Sequence, residues 1–164
     1  MKCRFVVAAL ALASAANGYA FCFAEAANRY GVNEQLLVAI AKVESGFNPN
    51  ARHVNSNKTT DIGLMQINSS HLPELIQYQI TEKSLLNPCT NVHVGAWVLA
   101  QSIRHYGSNW RAVGAYNGGL RADREAVRQI YARKVVRALH QASAAALDNS
   151  LTPTFSHPVM QVTN

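Results

Sequence analysis

Apolar positions along this chain recur mostly at helical spacing, in blocks separated by Gly, Pro and Asn clusters. Phe23 to Tyr30 predicts a short first helix with Gly31 as its stop. In the next block Leu37, Ile40 and Ala41 share one stripe, Asn33 suits the N-cap and Glu34 suits the first turn, predicting a helix over 33–43. Residues 48–61 break the pattern with Asn48, Pro49, Asn50, Asn55, Ser56, Asn57 and Asp61, and predict an exposed loop or a small irregular β-element. The run Ile62 to Ile67 is apolar but too short to assign by period. A short helix is expected over 72–79, then a break at Asn87-Pro88-Cys89. Asn91 is read as the cap of a longer helix reaching about His105, with Val94, Trp97, Val98, Ser102 and Ile103 on one face. Gly107-Ser108-Asn109 separates it from a short helix over 110–116, which Asn117-Gly118-Gly119 ends. A last helix is predicted over 123–145, followed by a flexible tail, 147–164, that holds Pro153 and Pro158. The expectation is a mainly α, compact single domain over 21–146 with a small irregular or short β-element.

Composition narrows the class. Of 164 residues, 49% are apolar and 15% charged, which fits a folded core and argues against a disordered chain. Lys2 and Arg4, the apolar run Phe5 to Ala13 and the small residues leading to Ala20 predict a cleavable export signal over 1–20, too short to span a membrane comfortably. Cys22 lacks the preceding Leu-Ala-Gly pattern of a lipoprotein, so a soluble exported protein is expected. Cleavage would remove Cys3 and leave Cys22 and Cys89, which in an oxidising compartment are expected to form one disulfide; two unrelated free thiols are the alternative.

The net charge of +6 suits an acidic polymer, whether cell wall or nucleic acid. Arg111, Arg121, Arg124, Arg128, Arg133, Lys134 and Arg137 carry much of it, and a solvated helix face explains them equally well. No aromatic stacking motif or basic recognition element supports nucleic acid. The six histidines show no metal-ligand spacing, and no Ser/His/Asp triad or phosphate-cradling glycine loop is evident, so neither metal nor cofactor is expected.

The sharpest chemical signal is Glu44. One more step along the Leu37–Ile40–Ala41 stripe lands on it, so a carboxyl group falls on the face meant for the core. Burial penalises the ionised form, and a carboxylic acid still protonated near neutral pH can give its proton to a leaving oxygen. Gly46 and Pro49 end the helix just beyond, which would set the acid at the lip of a cleft. The alternative is a glutamate turned to solvent at a frayed helix end.

Four segments add to this acid: Glu44-Ser45-Gly46-Phe47-Asn48-Pro49, Asp61-Ile62-Gly63-Leu64-Met65-Gln66-Ile67-Asn68, Gly114-Ala115-Tyr116-Asn117-Gly118-Gly119, and Tyr131 within Ile130 to Val135. In this order they resemble the lysozyme-like lytic transglycosylases of the SLT type that cleave bacterial peptidoglycan. The similarity is greatest to the small exported members that accompany type III and type IV secretion, conjugation and pilus assembly. It covers about residues 22–140 and implies a lysozyme-like α+β fold, a periplasmic location, and glycan strands and an envelope-spanning machine as partners.

The resemblance further implies that Glu44 is the sole catalytic acid and that the product is a 1,6-anhydro sugar. It implies that Tyr116 and Asn117 floor the cleft and position sugar. Tyr131 would hydrogen-bond near the glutamate, with an ordinary half-buried helix tyrosine as the alternative. Asp61 follows Glu44 by 17 residues, the spacing of the two catalytic carboxylates of lysozyme. It is read as an auxiliary charge that steadies the transition state, or else as a turn residue capping the Asn/Thr-rich loop.

Gly63 would let its strand approach a sugar or bend sharply. Met65 would offer an apolar edge to an N-acetyl group, or simply pack in the core. Gln66 would offer a donor and an acceptor to sugar, and Ser45 would touch substrate or cap its turn. The competing functions are a hydrolytic muramidase using Glu44, Asp61 and water, and a catalytically idle wall-binding assembly protein. The tail from Leu147 is a candidate docking segment for the machine.

Overall fold

The computed structural model describes residues 21–151, so the expected export signal over 1–20 and the tail beyond 151 lie outside the described residues. Six helices and one small sheet follow in order: α1 (Phe23–Tyr30), α2 (Glu34–Ser45), β1 (Arg52–Val54), β2 (Thr60–Ile62), β3 (Ile67–Asn68), α3 (Leu72–Leu75), α4 (Pro88–Tyr106), α5 (Trp110–Gly118) and α6 (Glu125–Leu151). The strands form an antiparallel sheet in the order β1-β2-β3, with Asp61 opposite His53 on one side and Asn68 on the other. The mainly α architecture with a small β-element matches the sequence reading. None of the described helices is long and apolar enough to cross a membrane.

Helix boundaries follow local chemistry. The Asn33 side chain accepts from the Leu36 amide at 2.9 Å, so α2 starts at the predicted cap. Helix α2 continues beyond its apolar stripe to Ser45, where Gly46 adopts φ 61° and donates its amide back to the helix. Glu44 therefore sits in a formed last turn, not on a frayed end.

Three predicted boundaries change. Asn91 is not a cap: Asn87 caps α4 by accepting from the Thr90 amide at 3.0 Å, and Asn91 is buried inside the helix. The helix expected over 72–79 is one turn of α-helix, α3, followed by a 3₁₀ turn over Ile76–Tyr78. The last helix runs six residues past Ala145, to Leu151, so the first part of the expected tail is helical backbone.

The core is built from the buried stripes of the helices, including Leu37 and Ile40 of α2, Val92 and Leu99 of α4, and Val135 of α6, with Ile62, Leu64, Met65 and Ile67 of the sheet segment beneath them. The disulfide expected from the cysteine count is present: Cys22 and Cys89 join the start of α1 to the first turn of α4, with Cα atoms 5.2 Å apart.

Helices α5 and α6 lie unusually close. A Cβ on Gly114 would meet the Arg128 carbonyl oxygen at 2.4 Å, and one on Gly118 would meet Arg128 Cγ at 2.7 Å. Arg128 was counted above among the surface charges, but it is fully buried. Its guanidinium donates to the Gly119 and Arg121 carbonyls, each at 2.8 Å, and to the Glu125 carboxylate. Five rigid donors suit a buried turn of open carbonyls, and the charge is matched by Glu125. This clamp fixes the α5–α6 connection and so the register between Tyr116 and Tyr131.

Candidate active site

A cleft of about 740 Å³ opens between the sheet, α4 and α5, and Glu44, Asp61, Gln66, Tyr116 and Asn117 all line it. Glu44 is half-buried in the last turn of α2. The Tyr131 hydroxyl, from α6, donates to Glu44 Oε1 at 2.5 Å. Burial pushes the Glu44 carboxyl up from 4.5 to about 7, and the nearby negative charge of Asp61 adds to the rise. The Tyr131 hydrogen bond and the Lys134 ammonium act in the opposite direction, because both favour the anion. Burial outweighs them, and the group is poised to hold or release a proton near neutral pH.

Two tyrosines fix this carboxyl. Tyr131 is nearly inaccessible, and burial raises its phenol well above the usual range, as does the adjacent Glu44 charge. It therefore remains a neutral donor and does not compete as an acid. Tyr116 stacks on Tyr131 with ring centroids 6.3 Å apart and planes within 16°, and its hydroxyl donates to the Met65 carbonyl at 2.8 Å. The chain Met65 carbonyl, Tyr116, Tyr131, Glu44 thus links the turn before β3, α5, α6 and α2. With Tyr131 donating to Oε1, the transferable proton belongs on Oε2.

Asp61 sits on β2 with both carboxylate oxygens engaged: Asn68 Nδ2 donates to one at 2.7 Å and Asn55 Nδ2 to the other at 2.9 Å. Asn55 and Asn68 also line the cleft, and the sequence reading did not single them out as site residues. Asn55 was read only as turn chemistry in the Asn-rich stretch, and Asn68 only as the end of the Asp61–Asn68 segment.

The segment between β2 and β3 corrects several expectations. Met65 is fully buried, and its side chain lies against Gly95 of α4, where a Cβ would come within 2.8 Å; it packs in the core and presents no edge to a sugar. Gly63 does bend the chain, at φ 77°, but its close approach is to Asn91 Nδ2, 2.4 Å from a Cβ, and to the Leu85 carbonyl. The Ser45 hydroxyl donates to the Leu64 carbonyl at 2.7 Å, tying the end of α2 to this segment. Gln66 lines the cleft, yet its amide nitrogen is held by the Ala51 and Gly63 carbonyls.

Asn91, missed as a site element, organises the whole turn. Its Oδ1 accepts from the Met65 amide at 2.6 Å, while Nδ2 donates to the Ile62 and Leu85 carbonyls at 2.9 and 2.7 Å. His71 also lines the cleft, edge-on to Trp97 at 5.8 Å, and burial favours its neutral form.

The description "Transglycosylase SLT domain" matches residues 21–137, most of the chain and all of the elements that form the cleft. The chain belongs to this family. The chain is 41% identical over 132 residues to "Invasion protein IagB" of Salmonella typhi, covering 80% of this chain and 82% of that protein. "Protein IpgF" of Shigella flexneri is 39% identical over 134 residues, covering 81% and 88%. "X polypeptide" of Escherichia coli strain K12 is 40% identical over 119 residues, covering 71% and 70%. The chain is accordingly a lytic transglycosylase, an enzyme acting on peptidoglycan.

Proposed function

We propose that Glu44 cleaves the β-1,4 bond between N-acetylmuramic acid and N-acetylglucosamine, acting first as acid and then as base. The carrying observation is its half-buried carboxyl in the cleft, held by Tyr131 and shifted to about 7. In the first step the Oε2 proton passes to the glycosidic oxygen as its bond to C1 breaks, and positive charge develops on the muramic ring. Asp61, anchored by Asn55 and Asn68, supplies a fixed negative charge that steadies this charge.

In the second step the muramic C6 hydroxyl attacks C1, and the Glu44 carboxylate takes the hydroxyl proton. The acid is regenerated and the product is a 1,6-anhydro sugar. An internal nucleophile needs no positioned water and enjoys a high effective molarity, so one carboxyl group suffices. Gln66, Tyr116 and Asn117 orient the glycan. Gly63, Met65 and Ser45 act behind them by fixing the turn.

The reading extends to place and purpose. An N-terminal export pattern and a Cys22–Cys89 bridge support action in the periplasm. A relative named for invasion supports local wall opening for an envelope-spanning secretion, conjugation or pilus machine. The test is product analysis of digested sacculi by mass spectrometry. Wild type is expected to release anhydro-muropeptides and Glu44→Gln to release none. Reducing ends would instead identify a hydrolytic muramidase, and failure of the wild type to solubilise purified wall would identify an idle binding protein.

A further inference from the structure

The Cys22–Cys89 bridge stands beside two further side chains of metal-binding type. Glu25 of α1 places its carboxylate so that it, Cys22 Sγ and Cys89 Sγ all lie within 4.8 Å of one another. His93 stands one turn after Cys89 in α4, and its Nε2 is 3.5 Å from Glu25 Oε1. No spacing along the chain marks this group, because its members come from two segments that only the fold brings together. The group is open to solvent on one side. Glu25 is 69% exposed, whereas His93 is largely covered and stands edge-on to Tyr30.

Oxidised, the group is a disulfide beside a carboxylate–imidazole contact, and disulfide sulfurs without thiolate charge are poor metal ligands. Reduced, it becomes two thiols, a carboxylate and an imidazole, a donor set that suits zinc. The separations suit it as well. On a tetrahedral zinc with bonds of about 2.0 Å, an oxygen and a nitrogen ligand lie about 3.3 Å apart, close to the separation of Glu25 and His93. Two thiolates at about 2.3 Å from the ion lie about 3.8 Å apart, which rotation about the Cα–Cβ bonds supplies once the bridge is broken. We propose that the reduced chain binds one zinc ion through Cys22, Glu25, Cys89 and His93. The ion replaces the covalent bridge as the clip between α1 and α4, and a reduced chain without zinc has neither. None of the four residues lines the cleft, so the site is independent of the reaction proposed at Glu44.

The chemistry balances. A reductant, either a dithiol or a phosphine, gives two electrons to the S–S bond, and each sulfur takes up one proton. The dithiol ends as a disulfide, and the phosphine takes oxygen from water and ends as its oxide. Zinc then displaces both thiol protons to solvent and forms two Zn–S bonds without a change in its own charge.

The test uses the full chain carrying Cys3→Ser, so that only Cys22 and Cys89 supply thiols. A phosphine serves as reductant, because thiol reagents compete for zinc. After incubation with zinc chloride and gel filtration, elemental analysis is expected to find one zinc per reduced chain and none on the oxidised chain. Glu25→Gln and His93→Gln are each expected to weaken zinc binding at least about tenfold in competition with a chelating dye. Zinc is expected to raise the urea midpoint of the reduced chain and to leave that of the oxidised chain in place. A reduced chain that holds no zinc, an oxidised chain that holds as much, or a reduced midpoint indifferent to zinc overturns the proposal. Unchanged affinity in either variant overturns the four-ligand site, because that side chain would then not hold the ion. The products released from sacculi test the Glu44 reading separately, so the two can fail independently.

Discussion

The proton donor at Glu44 is set by opposing influences of known sign. Burial and Asp61 raise its pKa; the Tyr131 hydroxyl and Lys134 lower it. Activity requires the protonated acid at the start of the cycle, so the rate should fall as pH rises through about 7. Tyr131→Phe removes a donor that favours the anion, so the Glu44 pKa should rise further. The alkaline limb of the pH–rate profile is expected to move up by about one unit, with a lower plateau because the carboxyl loses its rotamer anchor. An alkaline limb that stays in place would remove Tyr131 from control of the acid. At this scale the sequence was legible where the chemistry sits on a helical stripe, as for Glu44, whereas Tyr131 was reached only through the resemblance of its segment to the family. It misled at Met65, whose flexible apolar side chain suits a core as well as a sugar face. Only the packing against Gly95 decides between them.

At the scale of elements, the turn between β2 and β3 is the fragile part. It has few residues and borrows its rigidity from one buried amide, Asn91, which satisfies three backbone groups. Asn91→Leu keeps the number and branching of the side-chain heavy atoms but strands the Met65 amide and the Ile62 and Leu85 carbonyls in the core. A loss of about 3 kcal/mol is expected in urea unfolding, with weakened wall lysis because the Tyr116 hydroxyl is anchored on the Met65 carbonyl. A midpoint within error of wild type would contradict the role given to this side chain. Asn91 was invisible in the sequence for a physical reason. An asparagine just after Pro88-Cys89 has the chemistry of a helix cap, and only the location of the turn, 26 residues away at Met65, shows what its amide holds. Arg128 escaped for the same reason: a basic residue on an exposed-looking helix gives no sign of the open carbonyls at Gly119 and Arg121 that bury it.

Across the whole molecule, the helical order and the cysteine pair could both be read from periodicity and composition, because each depends on local pattern or simple counting. The shape of the cleft could not, because it depends on how closely α5 seats on α6 and on which asparagines face inward. Covalent closure is the most distant constraint. The Cys22–Cys89 bridge closes a 67-residue loop, worth roughly 4 kcal/mol in the chain-entropy view. Reduction, or the double change Cys22→Ser and Cys89→Ser, is expected to lower the urea midpoint by a matching amount. Coincident curves with and without reductant would show that helix packing alone holds α1 to α4.

That closed loop also divides the catalytic apparatus. Glu44 and Asp61 lie within the ring of chain between the two sulfurs, whereas the aromatic pair that steers the acid belongs to the open stretch after it. A molecule that has not yet met an oxidant would therefore lose alignment before it loses its helices, its proton source drifting from its guide. Oxidation would then do more than close a loop: under the export proposed above, it would complete the tool on arrival.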